Sequence, residues 1–262
     1  MSDTWRLLID EDPVDGATNM ALDRAVQVAV RDGDSRPTLR LYRWMRPTVT
    51  LGRFQDTSGV DLDLCAARGI DVVRRFTGGR GVLHDDEVTY ALVARLSDGV
   101  PRGTAASYRW FSAALVAAYE SLGVDAALVA RPGGRPAAVS ACYLHATQAD
   151  LALGATKLSG SAQVWSGDTV LQHGSFTRNR DVAREAAVFR LSDADTCRLA
   201  EETSTLADAL GEAPEIAAVL DAVATSVRSQ FSVELRPGVY TDRELEVARE
   251  LVAQTTVAWH ES

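Results

Sequence analysis

A cysteine and the chain's single lysine lie fifteen positions apart, at Cys142 and Lys157, and both side chains could take part in covalent chemistry. The other 26 basic residues are arginines, which stay charged, whereas a lysine can release its proton in a buried site. A nearby ammonium stabilises a thiolate, so the two residues suggest a nucleophile and its cationic partner. A stray surface lysine and an inert, buried thiol are the alternative that the residues themselves leave open.

A second candidate site is the glycine turn in RRFTGGRGVLHDDEVTYAL, residues 74–92. Adjacent glycines after a strand let backbone N–H groups point at a ligand and approach it closely. Arg74, Arg75 and Arg80 add positive charge, so the turn could hold an anion, a carbonyl oxygen or a phosphate. A tight hairpin with solvated arginines is the alternative. The turn is not a P-loop, because GK[ST] is absent.

Three histidines, His84, His145 and His173, could act as a base or bind a metal. They show no HxxxH or HxH spacing, so we expect no metal site. His145 would reach Cys142 on a helical turn, but its segment has no helical pattern. We interpret His84 and His173 as hydrogen-bonding residues that line the pocket.

The composition indicates a cytoplasmic protein with a sizeable core. Hydrophobic residues make up 46% of the chain, and we find neither a signal peptide nor eighteen consecutive apolar residues. The net charge of −9 arises within residues 191–262, which argues against nucleic acid as a partner. Cys65 and Cys197 fall on predicted helices and are interpreted as buried or incidental.

The elements that must position these residues follow from apolar periodicity. Helices are predicted over 18–31, 61–70 and 103–123, and strands over 37–44, 47–55, 71–76 and 88–96. Residues 150–176 predict three short strands separated by glycine turns, and the remainder is mostly helical with a strand in FSVELRPGVYT. Strands followed by helices indicate an α+β domain around a mainly antiparallel sheet.

Several motifs together resemble the lipoate/octanoate protein transferase and ligase superfamily. They are RRFTGGRGVLHDDEVTYAL, GATKLSGSAQ and VLQHGSF, supported by NMALD at 19–23 and PTVTLGRFQ at 47–55. The resemblance implies the fold of biotin/lipoate protein ligase catalytic domains, which are similar to class II synthetases: a mixed, mainly antiparallel sheet flanked by helices. We therefore expect residues 1–262 to form one catalytic domain, with a helical acidic part from about 191.

Within the superfamily, TGGRGV followed by LHDDEVTY is similar to the Gram-positive type of octanoyl-[acyl-carrier-protein]:protein N-octanoyltransferase. Those enzymes carry a cysteine at the position of SACY, which matches Cys142, whereas lipoate ligases typically show SGGGAV. Gly81, where alanine is common, and Ala155-Thr156, where a basic residue often occurs, depart from the pattern. The resemblance implies Cys142 and Lys157 as catalytic residues, and as substrate-binding residues Arg75, Thr77, Gly78, Gly79, Arg80, His84, Gly160, Ser161, Ala162, Gln163 and His173.

The implied reaction takes an octanoyl group from acyl carrier protein, holds it as a Cys142 thioester, and passes it to a lysine of a lipoyl domain or of the glycine cleavage H protein. Lys157, in apolar surroundings, would stabilise charge at the carbonyl and help move a proton. No cofactor, metal, nucleic acid or membrane is expected, and the enzyme is expected to be a monomer. The alternatives are an ATP-dependent lipoate-protein ligase, an amidotransferase acting between lipoyl proteins, and a non-catalytic lipoyl-binding paralogue.

Overall fold

The computed structural model describes residues 4–129, 141 and 150–257. Cys142 and His145 lie outside the described residues. The strands are β1 Thr4–Ile9, β2 Thr38–Tyr42, β3 Thr48–Leu51, β4 Asp71–Arg74, β5 Val82–His84, β6 Glu87–Arg95, β7 Ala126–Val129, β8 Asp150–Leu153, β9 Thr156–Ser159, β10 Ser161–Ser166, β11 Thr169–Thr177 and β12 Glu234–Pro237. The α-helices are α1 Gly16–Asp32, α2 Leu62–Ala67, α3 Thr104–Ser121, α4 Val182–Val188, α5 Asp193–Glu202, α6 Leu206–Leu210, α7 Ile216–Phe231 and α8 Asp242–Thr255, with a 3₁₀ turn at Leu96–Asp98.

The largest sheet has six strands in the order β10-β11-β6-β2-β1-β12. Neighbouring strands run antiparallel from β10 to β2, and β1 pairs in parallel with both β2 and β12. Two smaller sheets have the orders β4-β3-β5 and β7-β8-β9. The structure thus confirms the prediction of an α+β fold with a mixed, mainly antiparallel sheet flanked by helices.

Helix α1 forms where the apolar periodicity predicts it and carries site residues on its buried side. The Asp15 carboxylate caps its first turn by accepting the Thr18 N–H, and Gly33 ends it in the left-handed conformation at φ +87°. Met20, Val26 and other apolar residues of α1 pack against the large sheet, which fixes the helix over β6 and β11. Helix α3 likewise confirms the prediction over 103–123.

The prediction of three strands over 150–176 is wrong, because four form there. Gly160 separates β9, in a small sheet, from β10, at the edge of the large one. Its carbonyl approaches Gly174 so closely that a Cβ on Gly174 would lie 2.7 Å away. The close approach of two backbones lets the chain change sheets within one residue. Strands β1 and β5 were not predicted, since β1 lacks strict alternation and β5 has three residues.

The C-terminal helices pack on the rest of the described chain along apolar faces. Val219, Val223 and Val227 of α7 join the core that contains Trp5. Helix α8 places Val247 and Ala248 against α1, and β12 extends the large sheet beyond β1. None of the described helices is both long and apolar enough to cross a lipid bilayer.

Candidate active site

The Arg75 side chain shapes the glycine turn from inside. Arg75 follows β4 and is 5% exposed. Its Nη2 donates to the carbonyl oxygens of Gly78 and Arg80, both at 2.8 Å, and its Nε donates to the Gly78 carbonyl at 3.2 Å. A guanidinium presents its donors in a fixed fork, so it fixes the path of residues 77–81.

Two hydrogen-bonded chains lead away from Arg75, each through a threonine and a histidine to a buried carboxylate. In the first chain, Arg75 Nη1 donates to Thr50 Oγ1 at 3.2 Å. The Thr50 hydroxyl oxygen lies 2.9 Å from His84 Nε2. His84 Nδ1 then lies 2.7 Å from Glu87 Oε1. The Trp44 ring stacks on the His84 ring with centroids 4.2 Å apart and so fixes its plane.

The second chain has the same order of groups. Arg75 Nε donates to Thr77 Oγ1 at 3.1 Å, and this hydroxyl lies 2.8 Å from His173 Nε2. His173 Nδ1 lies 2.9 Å from Asp23 Oδ2. Arg75, Thr77, His84 and His173 of the predicted substrate-binding set are therefore brought together, although they come from three parts of the sequence: the glycine turn, β5 and β11.

The donors and acceptors fix the direction of the hydrogen bonds at both ends of each chain. Arginine can only donate and an ionised carboxylate can only accept. Each threonine hydroxyl therefore accepts from Arg75, and each histidine Nδ1 carries the hydrogen that faces the carboxylate. This assignment follows from the pattern of partners. Both imidazoles are thus held in one orientation.

The two terminal carboxylates are buried yet ionised. Burial raises the pKa of Glu87, but the His84 charge and hydrogen bonds from His84, Ser175 and Thr89 outweigh it, so the pKa lies below its usual value. Burial likewise raises the pKa of Asp23, and the Arg40 guanidinium together with His173 lowers it further than burial raises it. Arg40 Nη1 donates to Asp23 Oδ1 at 2.6 Å. Buried charges are tolerated here because each is paired and hydrogen-bonded.

The glycine turn is packed against a second loop at a position where no side chain fits. A Cβ on Gly52 would lie 1.9 Å from the Gly79 carbonyl oxygen. Gly79 itself has φ +96°, in the left-handed region that favours glycine. The predicted strand over 47–55 ends at Leu51 because Gly52 begins this loop. Gly78 has no atom within 4 Å of a Cβ position and so faces open space.

The predicted residues 160–163 form a half-buried strip beside His173. Ala162 is the cross-strand partner of His173 in the β10–β11 pair. Ser161 Oγ lies 2.6 Å from the Tyr90 hydroxyl. Gln163 accepts from Ser107 Oγ at 3.1 Å and donates to Gln172 at 2.8 Å. These bonds hold the strip against α3 and β11, next to the chain that ends at Asp23.

Lys157 is buried beside an acid and not in apolar surroundings, which corrects the expectation from sequence. The residue is 1% exposed, and its Nζ lies 3.2 Å from Oδ1 of Asp150, which is 0% exposed. The backbone of Lys157 is also tied to the C-terminal part, since its carbonyl accepts the Ser204 N–H at 2.9 Å. A carboxylate explains how the ammonium can be kept inside the fold at all.

The described residue next to Cys142 lies against the glycine turn. Ala141, which is fully buried, pairs with Gly81 in an isolated parallel bridge. Of the described cysteines, Cys65 is buried, and burial raises its pKa to about 11, whereas Cys197 is exposed on α5. Cys65, interpreted from the sequence as buried or incidental, is therefore buried.

Several residues of this region escaped the sequence analysis. Asp23 and Glu87 end the two hydrogen-bonded chains, Thr50 lies within the first of them, and Asp150 lies beside Lys157; all four are buried. The sequence signal that could have identified the acids is a charged residue within an apolar helix stripe or strand, as Asp23 in NMALD and Asp150 in DLAL. In residues 4–129, 141 and 150–257, no three His, Cys, Asp or Glu side chains are grouped as metal ligands would be.

Comparison with known proteins gives the family. Residues 15–228 match the family model described as the lipoyl protein ligase A/B catalytic domain. Octanoyltransferase LipM of Moorella thermoacetica is 37% identical over 98% of this chain and 97% of its own length. Octanoyltransferase LipM of Kyrpidia tusciae is 39% identical, with 96% of each chain covered.

Solved structures of lipoate protein ligases support the same family assignment. A lipoate-protein ligase A bound with ATP is 26% identical and superposes with a TM-score of 0.80 over 97% of this chain and 95% of its own. A bi-partite lipoate protein ligase of Thermoplasma acidophilum, described with its E2 lipoyl domain, is 25% identical with a TM-score of 0.79, covering 96% and 92%. The chain therefore belongs to the lipoyl protein ligase A/B catalytic domain family, as an enzyme of its octanoyltransferase type.

Proposed function

We propose that this enzyme moves an octanoyl group from acyl carrier protein to a lysine amine of a lipoyl domain or of the glycine cleavage H protein, through a thioester on Cys142. The relatives named octanoyltransferases support the group that is transferred. The Thermoplasma ligase described with its E2 lipoyl domain supports the class of acceptor.

The proposed reaction has two balanced steps. The Cys142 thiolate attacks the thioester carbonyl, a new C–S bond forms, and the carrier leaves as a thiolate that takes up a proton. The acceptor's uncharged amine then attacks the acyl-Cys142 carbonyl, an amide C–N bond forms, the Cys142 sulfur leaves, and the amine gives up a proton. Thioester exchange is nearly isoenergetic and the amide is more stable, so no ATP is consumed.

The observation that carries the cysteine step is the pairing of Ala141 with Gly81. Cys142 follows Ala141 in the sequence, and consecutive Cα atoms are about 3.8 Å apart. The residue that precedes Cys142 in the sequence is thus held against the glycine turn, and Arg75 with its two hydrogen-bonded chains holds that turn in place. Backbone N–H groups of such a turn can stabilise the oxyanion that forms when a thiolate attacks a carbonyl.

Lys157 is proposed to place its ammonium near that carbonyl, with Asp150 fixing its position. An ammonium in a water-poor site stabilises developing negative charge more strongly than it would in water. Lysine can also exchange a proton with the attacking amine, which arginine cannot do. This gives a chemical reason why the chain's single lysine stands at this position.

The test is intact-protein mass after mixing the enzyme with octanoyl-acyl carrier protein in the absence of ATP. We expect one added octanoyl group, lost in Cys142→Ala and retained in Cys197→Ser, whose thiol is exposed on α5. We expect Lys157→Arg to reduce the rate of transfer to an unmodified lipoyl domain by at least tenfold.

The outcomes separate the alternatives. Activity that persists in Cys142→Ala and needs ATP with free octanoate or lipoate would identify a ligase and reject the thioester step. Acylation from an octanoylated lipoyl protein but not from acyl carrier protein would identify an amidotransferase. No acylation from any donor would leave a non-catalytic binding protein.

A further inference from the structure

An exposed phenylalanine stands beside the glycine turn. Phe54 is 87% exposed, on the loop that follows β3. The guanidinium carbon of Arg53 lies 5.2 Å from the centre of its ring. One exposed aromatic side chain is common on protein surfaces. Its rigid position and its charged neighbours are what distinguish Phe54.

The backbone that carries Phe54 is fixed to the glycine turn. The Arg53 N–H donates to the Thr77 carbonyl at 2.9 Å. Arg74 Nη1 donates to the carbonyls of Gly52 at 2.9 Å and Gln55 at 2.5 Å, on either side of Phe54. A contact residue that is already held in place loses little conformational entropy on binding. The loop thus presents Phe54 in a defined position next to residues 77–81.

Two arginines place positive charge near Phe54 and Phe76. Arg24 of α1 places its guanidinium 5.8 Å from the ring centre of Phe76 in the glycine turn and bonds to the neutral Gln27 side chain. Burial, together with the positive charges of Arg31 and Arg53, lowers the pKa of Arg24. Within the described ranges, neither Arg24 nor Arg53 lies within ion-pair distance of an acid. An anionic partner would relieve this repulsion.

We propose that Arg24, Arg53, Phe54 and Phe76 form a rim patch on which an acidic acceptor domain of the lipoyl class docks. This inference rests on the proposed function, because it names the surface that receives the proposed acceptor. The patch is positive although the whole chain has a net charge of −9, so it is electrostatically complementary to an acidic domain. Aromatic and arginine side chains are the residues that most often anchor interfaces.

The position of the patch beside the glycine turn favours the acceptor domain over the acyl-donating carrier as the protein that docks there. The acceptor presents its amine on the four-carbon stem of one lysine, so its own surface must contact the rim of the site. A carrier with a long prosthetic arm can dock farther away. Arg24 follows Asp23 and Phe76 precedes Thr77 in the sequence, so the patch adjoins the hydrogen-bonded chain that ends at Asp23. A domain docked there would bring its lysine close to that chain.

The test is the dissociation constant of an unmodified lipoyl domain, measured by calorimetric titration against the full chain. We expect Phe54→Ala and Arg53→Glu each to weaken binding about tenfold. We expect wild-type affinity to fall as salt is raised. Val239→Ala and Arg249→Glu are matched controls on exposed residues of the C-terminal part, and we expect them to change the constant less than twofold. Thermal unfolding verifies that each variant is folded.

Three results would overturn the docking inference: no binding of the lipoyl domain to wild type, equal binding by the patch variants, or weakened binding of acyl carrier protein with the lipoyl domain unaffected. Failure of the proposed function is distinguishable from each. An enzyme that binds the lipoyl domain through the patch but does not transfer octanoate retains the surface and loses the reaction.

Discussion

Several charged side chains in the described part of the interior lie in pairs. Glu87 is paired with His84, Asp23 with His173 and Arg40, and Lys157 with Asp150. Removing one member of such a pair leaves the other charge buried without its partner, which is more costly than never having had the pair. The pairs therefore fix the positions of groups that the proposed reaction needs, and they make the site sensitive to single substitutions.

Asp23→Asn should lower the free energy of unfolding at pH 7 by about 3 kcal/mol, because Arg40 loses one carboxylate partner and His173 loses its orienting acceptor. The pH dependence should change as well. The folded-state pKa of Asp23 lies below 3.8, so its contribution is full above that value and is lost as the pH falls through the folded-state pKa. The variant should lose less stability than wild type on acidification.

Urea unfolding at several values between pH 7 and pH 3 measures both effects. Glu202→Gln serves as the comparison, because its pair with Arg198 is exposed and should contribute less than about 1 kcal/mol. Parallel stability curves for Asp23→Asn and wild type below pH 4 would contradict the assignment of an ionised, buried Asp23.

At the scale of elements, two loops form one unit because a glycine lies on each. The loop after β3 presents Gly52, and the turn after β4 presents the Gly79 carbonyl against it. Parallel pairing of β3 and β4 brings the ends of both strands to the same edge of their sheet. The predicted substrate-binding turn and the proposed docking residue Phe54 thus depend on the same close contact.

Gly52→Ala should destabilise the enzyme by about 1–3 kcal/mol, because a Cβ 1.9 Å from the Gly79 carbonyl oxygen must push the glycine turn away. The rate of acyl-enzyme formation should fall with it, since the turn is displaced. Gly78→Ala is the stability control, as no atom lies within 4 Å of its Cβ position. Denaturant unfolding and the mass assay measure the two effects. Equal stability of the two variants would show that the loops can separate without cost.

At the scale of the whole molecule, residues near the two ends of the described chain are joined through one buried ion pair. Arg6 of β1 donates to both carboxylate oxygens of Glu244 in α8, at 2.8 and 2.5 Å, and Glu244 is fully buried. The same carboxylate accepts the Thr241 N–H and so caps α8. The acidic C-terminal segment is thereby tied to the first strand of the large sheet.

Glu244→Gln should lower the free energy of unfolding by about 3 kcal/mol, because it removes a charged partner from a nearly buried arginine and weakens a helix cap. Glu246→Gln on the same helix is the matched control. Its pair with Arg243 is exposed and should contribute less than about 1 kcal/mol. Thermal and denaturant unfolding of both variants measure this difference. Similar losses of unfolding free energy in the two variants would refute a stabilising role for the buried pair.

Much of the fold could be predicted because it depends on local patterns. The apolar stripe of α1, the long α3 and the mainly antiparallel sheet follow from periodicity, and the ordered motifs gave the family. Strand β5 could not be predicted, since three residues carry no period of their own. The four strands over 150–177 were missed because a glycine that moves the chain between sheets resembles a glycine in a hairpin turn.

The sequence by itself determined which reactive groups exist: one lysine, a cysteine fifteen residues before it, and a glycine turn among arginines. The tertiary structure decided what each group contacts. Asp23 lies 150 positions from His173, and Thr77 lies 96 positions from it, yet all three share one hydrogen-bonded chain. Periodicity reports which face of an element is buried, but the partner of a buried polar group is set by how elements pack, and that information appears only when the chain has folded.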